Sequence, residues 1–141
     1  MAIEVKDLLG AWRLVGWSLV YADGRPPEYP LGEDAVGFLM YTADGYVSAT
    51  LMRKARPSQA PASPAEAAAA YAESFAYAGR FTVRDDTVFH SIEVATNPAL
   101  IGITSTRHIE LAGGTLALSG PDFGAGSPRT QRIAWRRRQP A

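Results

Sequence analysis

About eight short stretches of strand-like sequence, broken by a single alanine-rich segment, restrict the fold of this chain more than any other feature. Residues 10–22, 35–41, 46–53, 79–84, 87–95, 102–111, 115–119 and 129–136 read as strands, and residues 63–78 as the helix. An open sheet of that size leaves two edges of unpaired N–H and C=O groups that invite aggregation. Closing the sheet on itself removes both. The fold class expected is therefore mainly β, a small closed barrel with one helix, and at 141 residues it forms one domain spanning 1–141. A chain of this length buries roughly two-thirds of its unfolded surface, enough for a core without disulfide or metal.

The strands carry directional information. Residues Gly10 to Tyr21 are apolar on both faces, so this strand is covered inside and outside, by the helix or by a neighbouring molecule. That two-faced character raises a homodimer as an expectation. Thr42-Ala43-Asp44-Gly45 reads as a hairpin loop, with Gly45 taking the left-handed conformation. Ser63 is placed to cap the helix, Pro64 suits its first position and Glu66 completes a capping box. Within that helix Tyr71, Phe75 and Ala78 share a face that packs on the outside of the barrel or on its mouth.

A turn at Asp85-Asp86 pairs Arg84 with Thr87, Val83 with Val88 and Phe81 with His90. It puts Phe81, Val83, Val88, His90, Ile92 and Val94 on the inward face. The alternation of the sixth strand turns Ile103, Ser105, Arg107, Ile109 and Leu111 inward, and that of the eighth turns Gln131, Ile133 and Trp135 inward. The facing of strands two and three stays open, because both faces are comparably apolar. A bulge in any strand reverses the parity beyond it.

Composition narrows the function classes. Fourteen basic residues balance fourteen acidic ones, so the chain lacks the electrostatic footprint of a nucleic-acid binder. The run Arg136-Arg137-Arg138 reads as the solvated end of the last strand. The absence of cysteine removes thiol chemistry and fits a reducing compartment. MAIEVKDLLG does not resemble a secretion signal and no apolar stretch is long enough to span a bilayer, so a cytoplasmic location is expected. Two histidines without cysteine make a zinc site improbable, and no metal or other cofactor is expected. The glycines of 120–126 join two strands, with no following helix to receive a phosphate, and read as a loop. No nucleophile motif is present.

What remains is the barrel interior. A guanidinium cannot be buried unpaired without a cost of roughly several kcal/mol, so Arg107 must have a partner. That partner is either structural (a carbonyl, a carboxylate such as Glu93 or Glu110, or an indole) or the carboxylate, phenolate or enolate of a ligand. His90 is either a satisfied core residue or a proton acceptor whose neutral form burial favours. The strands carrying these two residues are expected to be neighbours, so both reach one cavity. Ser105, Gln131, Ser48, Tyr46 and Tyr71 are further candidates for its lining.

Gly10-Ala11-Trp12 is similar to the G-x-W of the lipocalins and the wider calycin superfamily. Leu9-Gly10-Ala11-Trp12-Arg13-Leu14-Val15, Tyr29-Pro30-Leu31-Gly32, the stretch from Val36 to Tyr46 and Ser48-Ala49 resemble the bacterial and fungal lipocalin-like domain family. So do Tyr77-Ala78-Gly79-Arg80-Phe81, His90, Asn97-Pro98, Gly102, Arg107 and Trp135. The resemblance covers nearly the whole chain in order. It implies an eight-stranded up-and-down antiparallel β-barrel with the helix between strands three and four. It also implies an arginine across the base tryptophan, for which Arg132 or Arg136 are the candidates. It implies no single chemistry, because relatives include carriers of small apolar molecules and cofactor-free enzymes.

Three functions follow as expectations. The first is binding of a small hydrophobic, aromatic or polyketide-like molecule whose acidic or carbonyl oxygen Arg107 holds between walls of Trp12, Phe81, Ile92, Ile109 and Trp135. The second is a cofactor-free cyclase, isomerase or dehydratase in the same cavity, with His90 moving a proton and Arg107 stabilising an enolate. The third is an interaction module whose barrel is filled by its own bulky side chains.

Overall fold

The computed structural model describes residues 2–121 and 129–137. Eight antiparallel strands follow one another around a closed barrel: β1 (Gly10–Tyr21), β2 (Val36–Tyr41), β3 (Tyr46–Met52), β4 (Ser74–Arg84), β5 (Thr87–Ala95), β6 (Thr104–Ala112), β7 (Thr115–Pro121) and β8 (Arg129–Arg137). The long β1 closes the ring, pairing with β2 through Gly10–Arg13 and with β8 from Trp12 to Tyr21. A short helix α1 (Val5–Leu8) precedes β1, and α2 (Pro64–Ala72) stands between β3 and β4, where the resemblance places the inserted helix.

Local chemistry accounts for the elements. The Asp85-Asp86 turn sets the expected register of Phe81 on His90 and Val83 on Val88, and Asp85 adopts a positive φ of 57° to make it. Gly45, at φ 96°, closes the β2–β3 hairpin as its residue type requires. At α2 the Ser63 hydroxyl accepts from the Glu66 amide, while the Glu66 carboxylate accepts from the Ala62 amide at 2.9 Å.

The helix is shorter than its alanine content predicts. It ends at Ala72, and the chain from Ser74 onward is strand, paired residue for residue with β3. Phe75 and Ala78 therefore do not share a helical face with Tyr71. Alanine favours helix by only a fraction of a kcal/mol per residue, whereas closing the barrel satisfies a full ladder of backbone groups. Tyr71 is 54% exposed, and no residue of α2 is buried.

Two bulges reset the facing of the strands. Val15 is skipped in the β1–β8 ladder, so Trp12 and Leu14 point inward below it and Trp17, Leu19 and Tyr21 above it. Glu93 is skipped opposite Ala78 and Gly79, which turns Val94 outward, 61% exposed, against the sequence expectation. Gly79 is required at this bulge because a Cβ there would lie 1.9 Å from the Ser91 carbonyl oxygen. The structure also settles β2 and β3: Leu39, Tyr41, Val47, Ala49 and Leu51 are buried, and the alternate residues face out.

One end of the barrel is plugged. Trp12 is fully buried, its indole N–H donates to the Leu8 carbonyl at 2.9 Å, and α1 lies beneath it. The arginine across the tryptophan is Arg137, neither Arg132 nor Arg136. Its guanidinium carbon sits 4.1 Å from the Trp12 ring centre, and it donates to the carbonyls of Leu9 at 2.8 Å and Asp7 at 2.6 Å. Arg137 is thus not part of a solvated charge run. Arg138 lies outside the described residues, as does the 120–126 loop from residue 122 onward, while Gly120 and Pro121 are the last residues of β7.

Candidate functional site

The other end is hollow. A cavity of about 230 Å³ runs into the barrel, walled by Trp17, Leu39, Leu51, Phe75, Ile92, Leu118, Ile133 and Trp135, with Asn97, Leu100 and Ile103 among the lining residues as well. A 3₁₀ turn (Pro98–Leu100) lies between β5 and β6, capped by Asn97, whose side chain accepts from the Ala99 amide. Polar residues of this lining are Tyr77, His90, Asn97, Ser105, Arg107 and Gln131.

His90 is 1% exposed and holds a tyrosine at each ring nitrogen: Tyr41 Oη lies 2.7 Å from Nε2, and Tyr77 Oη lies 3.0 Å from Nδ1. Burial, and secondarily the Arg107 charge, push the His90 pKa down to about 3, so the ring is neutral, with one donor and one acceptor nitrogen. Burial raises the Tyr41 hydroxyl well above the usual phenol range and Tyr77 to about 12, with Arg107 opposing both shifts. Both phenols therefore keep their protons.

The direction of this chain follows from what each hydroxyl can reach. Tyr41 is buried against Phe81, their ring centres 4.6 Å apart, and among the described residues its hydroxyl bonds to His90. If Nε2 carried the proton, the Tyr41 proton would be stranded at a cost of about 1–3 kcal/mol. The favoured arrangement has Tyr41 donating to Nε2 and Nδ1–H donating to Tyr77. The Tyr77 proton is then free to point into the cavity that Tyr77 lines.

Arg107 is buried on β6 opposite Val88, two residue pairs along the ladder from His90, and its Nη1 donates to the Thr106 carbonyl at 2.9 Å. Gly120 makes room for it, since a Cβ at that position would lie 2.9 Å from Nη1. Glu93 and Glu110, the carboxylates considered as partners, face outward and are exposed. Gln131 donates through Nε2 to the Pro121 carbonyl at 3.3 Å. Among the described residues the buried indole N–H groups of Trp17 and Trp135 have no acceptor; both residues line the cavity through other atoms, since neither nitrogen is accessible.

Of the residues singled out from sequence, His90, Arg107, Ile92, Ser105, Gln131 and Trp135 line this cavity. Trp12, Phe81 and Ile109 are buried in the packed core beneath it and form no part of its wall. Tyr46, Ser48 and Tyr71 are exposed on the outside. Tyr46 and Ser48 fall on the outer parity of β3, where Tyr46 accepts a hydrogen bond from Arg80 at 3.1 Å. Sequence reasoning missed Tyr41, Tyr77 and Trp17. Tyr41 lay on a strand of undecided facing, Tyr77 in the overextended helix and Trp17 beyond a bulge.

Fold and cavity define the chain as an antiparallel eight-stranded barrel plugged at one end and hollow at the other. It belongs to the lipocalin-like domain family, whose model matches residues 9–138. Among solved structures, a lipocalin-like protein from Bacteroides uniformis superposes with a TM-score of 0.50 at 18% identity, over 93% of this chain and 98% of that one. The lipoprotein YedD from Klebsiella pneumoniae matches with a TM-score of 0.45 at 16% identity, over 95% of this chain and 74% of its own. No curated protein matches the chain significantly in sequence.

Proposed function

We propose that this barrel binds a small apolar molecule, aromatic or polyketide-like, through one acidic or carbonyl oxygen held at the Arg107–Tyr77 wall. The observation that carries this reading is an apolar cavity whose lining includes both the Arg107 guanidinium and the Tyr77 phenol. Apolar cavities of roughly 150 Å³ accept a benzene ring, so about 230 Å³ admits a larger aromatic body. Burying such a body at about 25 cal/mol per Å² brings affinity into the micromolar range without catalysis.

The catalytic alternative draws support from the Tyr41–His90–Tyr77 chain, which gives a proton a route between a ligand oxygen and a buried imidazole. In that case Tyr77 is the group that meets the substrate, and His90 acts through it. A filled interaction module finds no support in a barrel with this cavity.

Calorimetric titration with 2-naphthoate tests the binding reading. The wild-type protein should bind it at micromolar concentration. Arg107→Met should weaken binding by about tenfold or more, the worth of a charge-assisted hydrogen bond. Binding of uncharged naphthalene should change little in the same variant, which separates a lost anchor from a damaged barrel. Equal affinity of both proteins for 2-naphthoate, or no binding at all, would refute the assignment.

A further inference from the structure

Two hydrogen-bonding groups of the cavity wall are left open by the fold. Among the described residues, the buried side-chain atoms that are both unbonded and sealed are the indole nitrogens of Trp17 and Trp135 alone. The Ser105 hydroxyl and the Gln131 side-chain carbonyl oxygen also bond to none of the described residues, so both keep accessible surface. Ser105 is 5% exposed and Gln131 8%, both turn inward, and both line the cavity. Gln131 is the more exacting of the two. Its Nε2 is held by the Pro121 carbonyl at 3.3 Å, which fixes the amide and leaves Oε1 as the group on offer. That oxygen accepts and cannot donate, whereas the Ser105 hydroxyl does either.

Their placement gives the cavity a polarity. β8 ends at Arg137 over the plug, so it and the strands that run its way, β4 and β6, start at the hollow end. They begin at Arg129, Ser74 and Thr104, which puts Gln131, Tyr77 and Ser105 in one belt just inside that end. In a closed ring of eight, β4 and β8 lie opposite one another and β6 lies midway. Tyr77, whose proton His90 leaves free, presents a donor on one side, and Gln131 presents an acceptor on the other. Ser105, paired across the ladder with His90, stands between them. An oxygen held at Tyr77 and Arg107 satisfies the donor side alone. Water serves an accessible acceptor such as Gln131 Oε1. An apolar body that displaces solvent strands this oxygen unless it brings a hydrogen of its own.

Resting on the ligand-site reading above, we propose that the occupant is a hydroxylated aromatic acid or ketone. Its acidic or carbonyl oxygen meets Tyr77 and Arg107, and a hydroxyl on the opposite edge donates to Gln131 Oε1. Ser105, able to donate or accept, serves whichever edge lies nearer to it. Gln131 is then the residue that selects for the hydroxyl.

Three probes separate the terms: 6-hydroxy-2-naphthoate, 6-methoxy-2-naphthoate and 2-naphthoate. All carry the acid, and the first alone has a donor at the far edge. In calorimetric titrations of the full chain, the hydroxy acid should bind about tenfold tighter than either of the others, the worth of one hydrogen bond. Gln131→Met keeps the length of the side chain and removes the acceptor. It should abolish that advantage and leave 2-naphthoate binding nearly unchanged. Should this variant fail to fold without its bond to Pro121, the wild-type protein decides. The Gln131 side-chain amide signals in ¹H–¹⁵N spectra should move downfield with the hydroxy acid and far less with 2-naphthoate. Equal affinity for these two acids, an advantage that Gln131→Met retains, or amide signals that move alike with both overturns selection for a hydroxyl and leaves a ligand site standing. Failure of all three acids to bind overturns both readings together.

Discussion

Replacing Trp12 with alanine should cost about 3–5 kcal/mol of stability, the usual loss for deleting a fully buried tryptophan. Domains of this kind are stable by only about 5–15 kcal/mol, so the variant should stand close to unfolding. The effect is large because three elements converge on this side chain. Its ring fills the plugged end of the barrel, its N–H holds the Leu8 carbonyl at the end of α1, and Arg137 covers it from β8. Arg137 in turn ties the Leu9 and Asp7 carbonyls. Removing the indole therefore opens a cavity, strands the Leu8 carbonyl and takes away the ring that Arg137 covers. Arg137→Met should cost less, about 1–3 kcal/mol, because the core stays filled and only the charged hydrogen bonds and ring contact are lost. Urea unfolding of the two variants against wild type measures both. A Trp12→Ala loss below that of Arg137→Met would mean that the plug is held by the arginine and not by the tryptophan.

The second large effect is on pH. His90 has its pKa lowered from 6.5 to about 3 in the folded protein, first by burial and then by Arg107. A base whose folded pKa is depressed takes up its proton more readily in the unfolded chain. Between those two values the unfolded state binds more protons, and stability rises with pH. The contribution is complete above pH 6.5 and is lost as pH falls toward 3, at about 1.4 kcal/mol per unit. From about pH 7 to pH 5 the loss should be roughly 2 kcal/mol, in a range where most carboxylates remain ionised. His90→Leu is less stable throughout, since Tyr41 and Tyr77 lose their partner, but its stability should be nearly flat over the same interval. His108, on the surface 3.4 Å from Asp86, is present in both proteins and serves as the internal control. A wild-type profile that is flat from pH 7 to pH 5, or one that His90→Leu reproduces, would contradict a buried neutral imidazole.

The strands and the β4–β5 turn could be read from alternation alone, because a residue step of two is all the information a half-buried strand needs. His90 and Arg107 were placed inward on that basis, and the structure has them inward. The same alternation reaches further along β8. The inward set Gln131, Ile133 and Trp135 continues by one step to Arg137, which is the residue over Trp12. In the alanine-rich segment, Phe75, Tyr77 and Phe81 stand at even intervals among small and polar residues from Ser74 to Phe81, the mark of a strand. Alanine propensity hid that alternation, and with it the phenol that faces the cavity. The bulges at Val15 and Glu93 are different in kind. They depend on how two strands slip against each other around a closed ring, so neither the inward turn of Trp17 nor the outward turn of Val94 is written in one strand's residues.

The central proposal is that the hollow end of the barrel, and no other surface, receives a small apolar molecule bearing an acidic or carbonyl oxygen. A backbone ¹H–¹⁵N titration with 2-naphthoate addresses it most directly. Saturable shifts should concentrate at Tyr77, His90, Ser105, Arg107 and Gln131 around the cavity. They should be absent from the outward-facing Tyr46 and Ser48 and from Tyr71 on α2. Shifts spread over the outer face of the barrel, or a spectrum unchanged at millimolar acid, would contradict the claim.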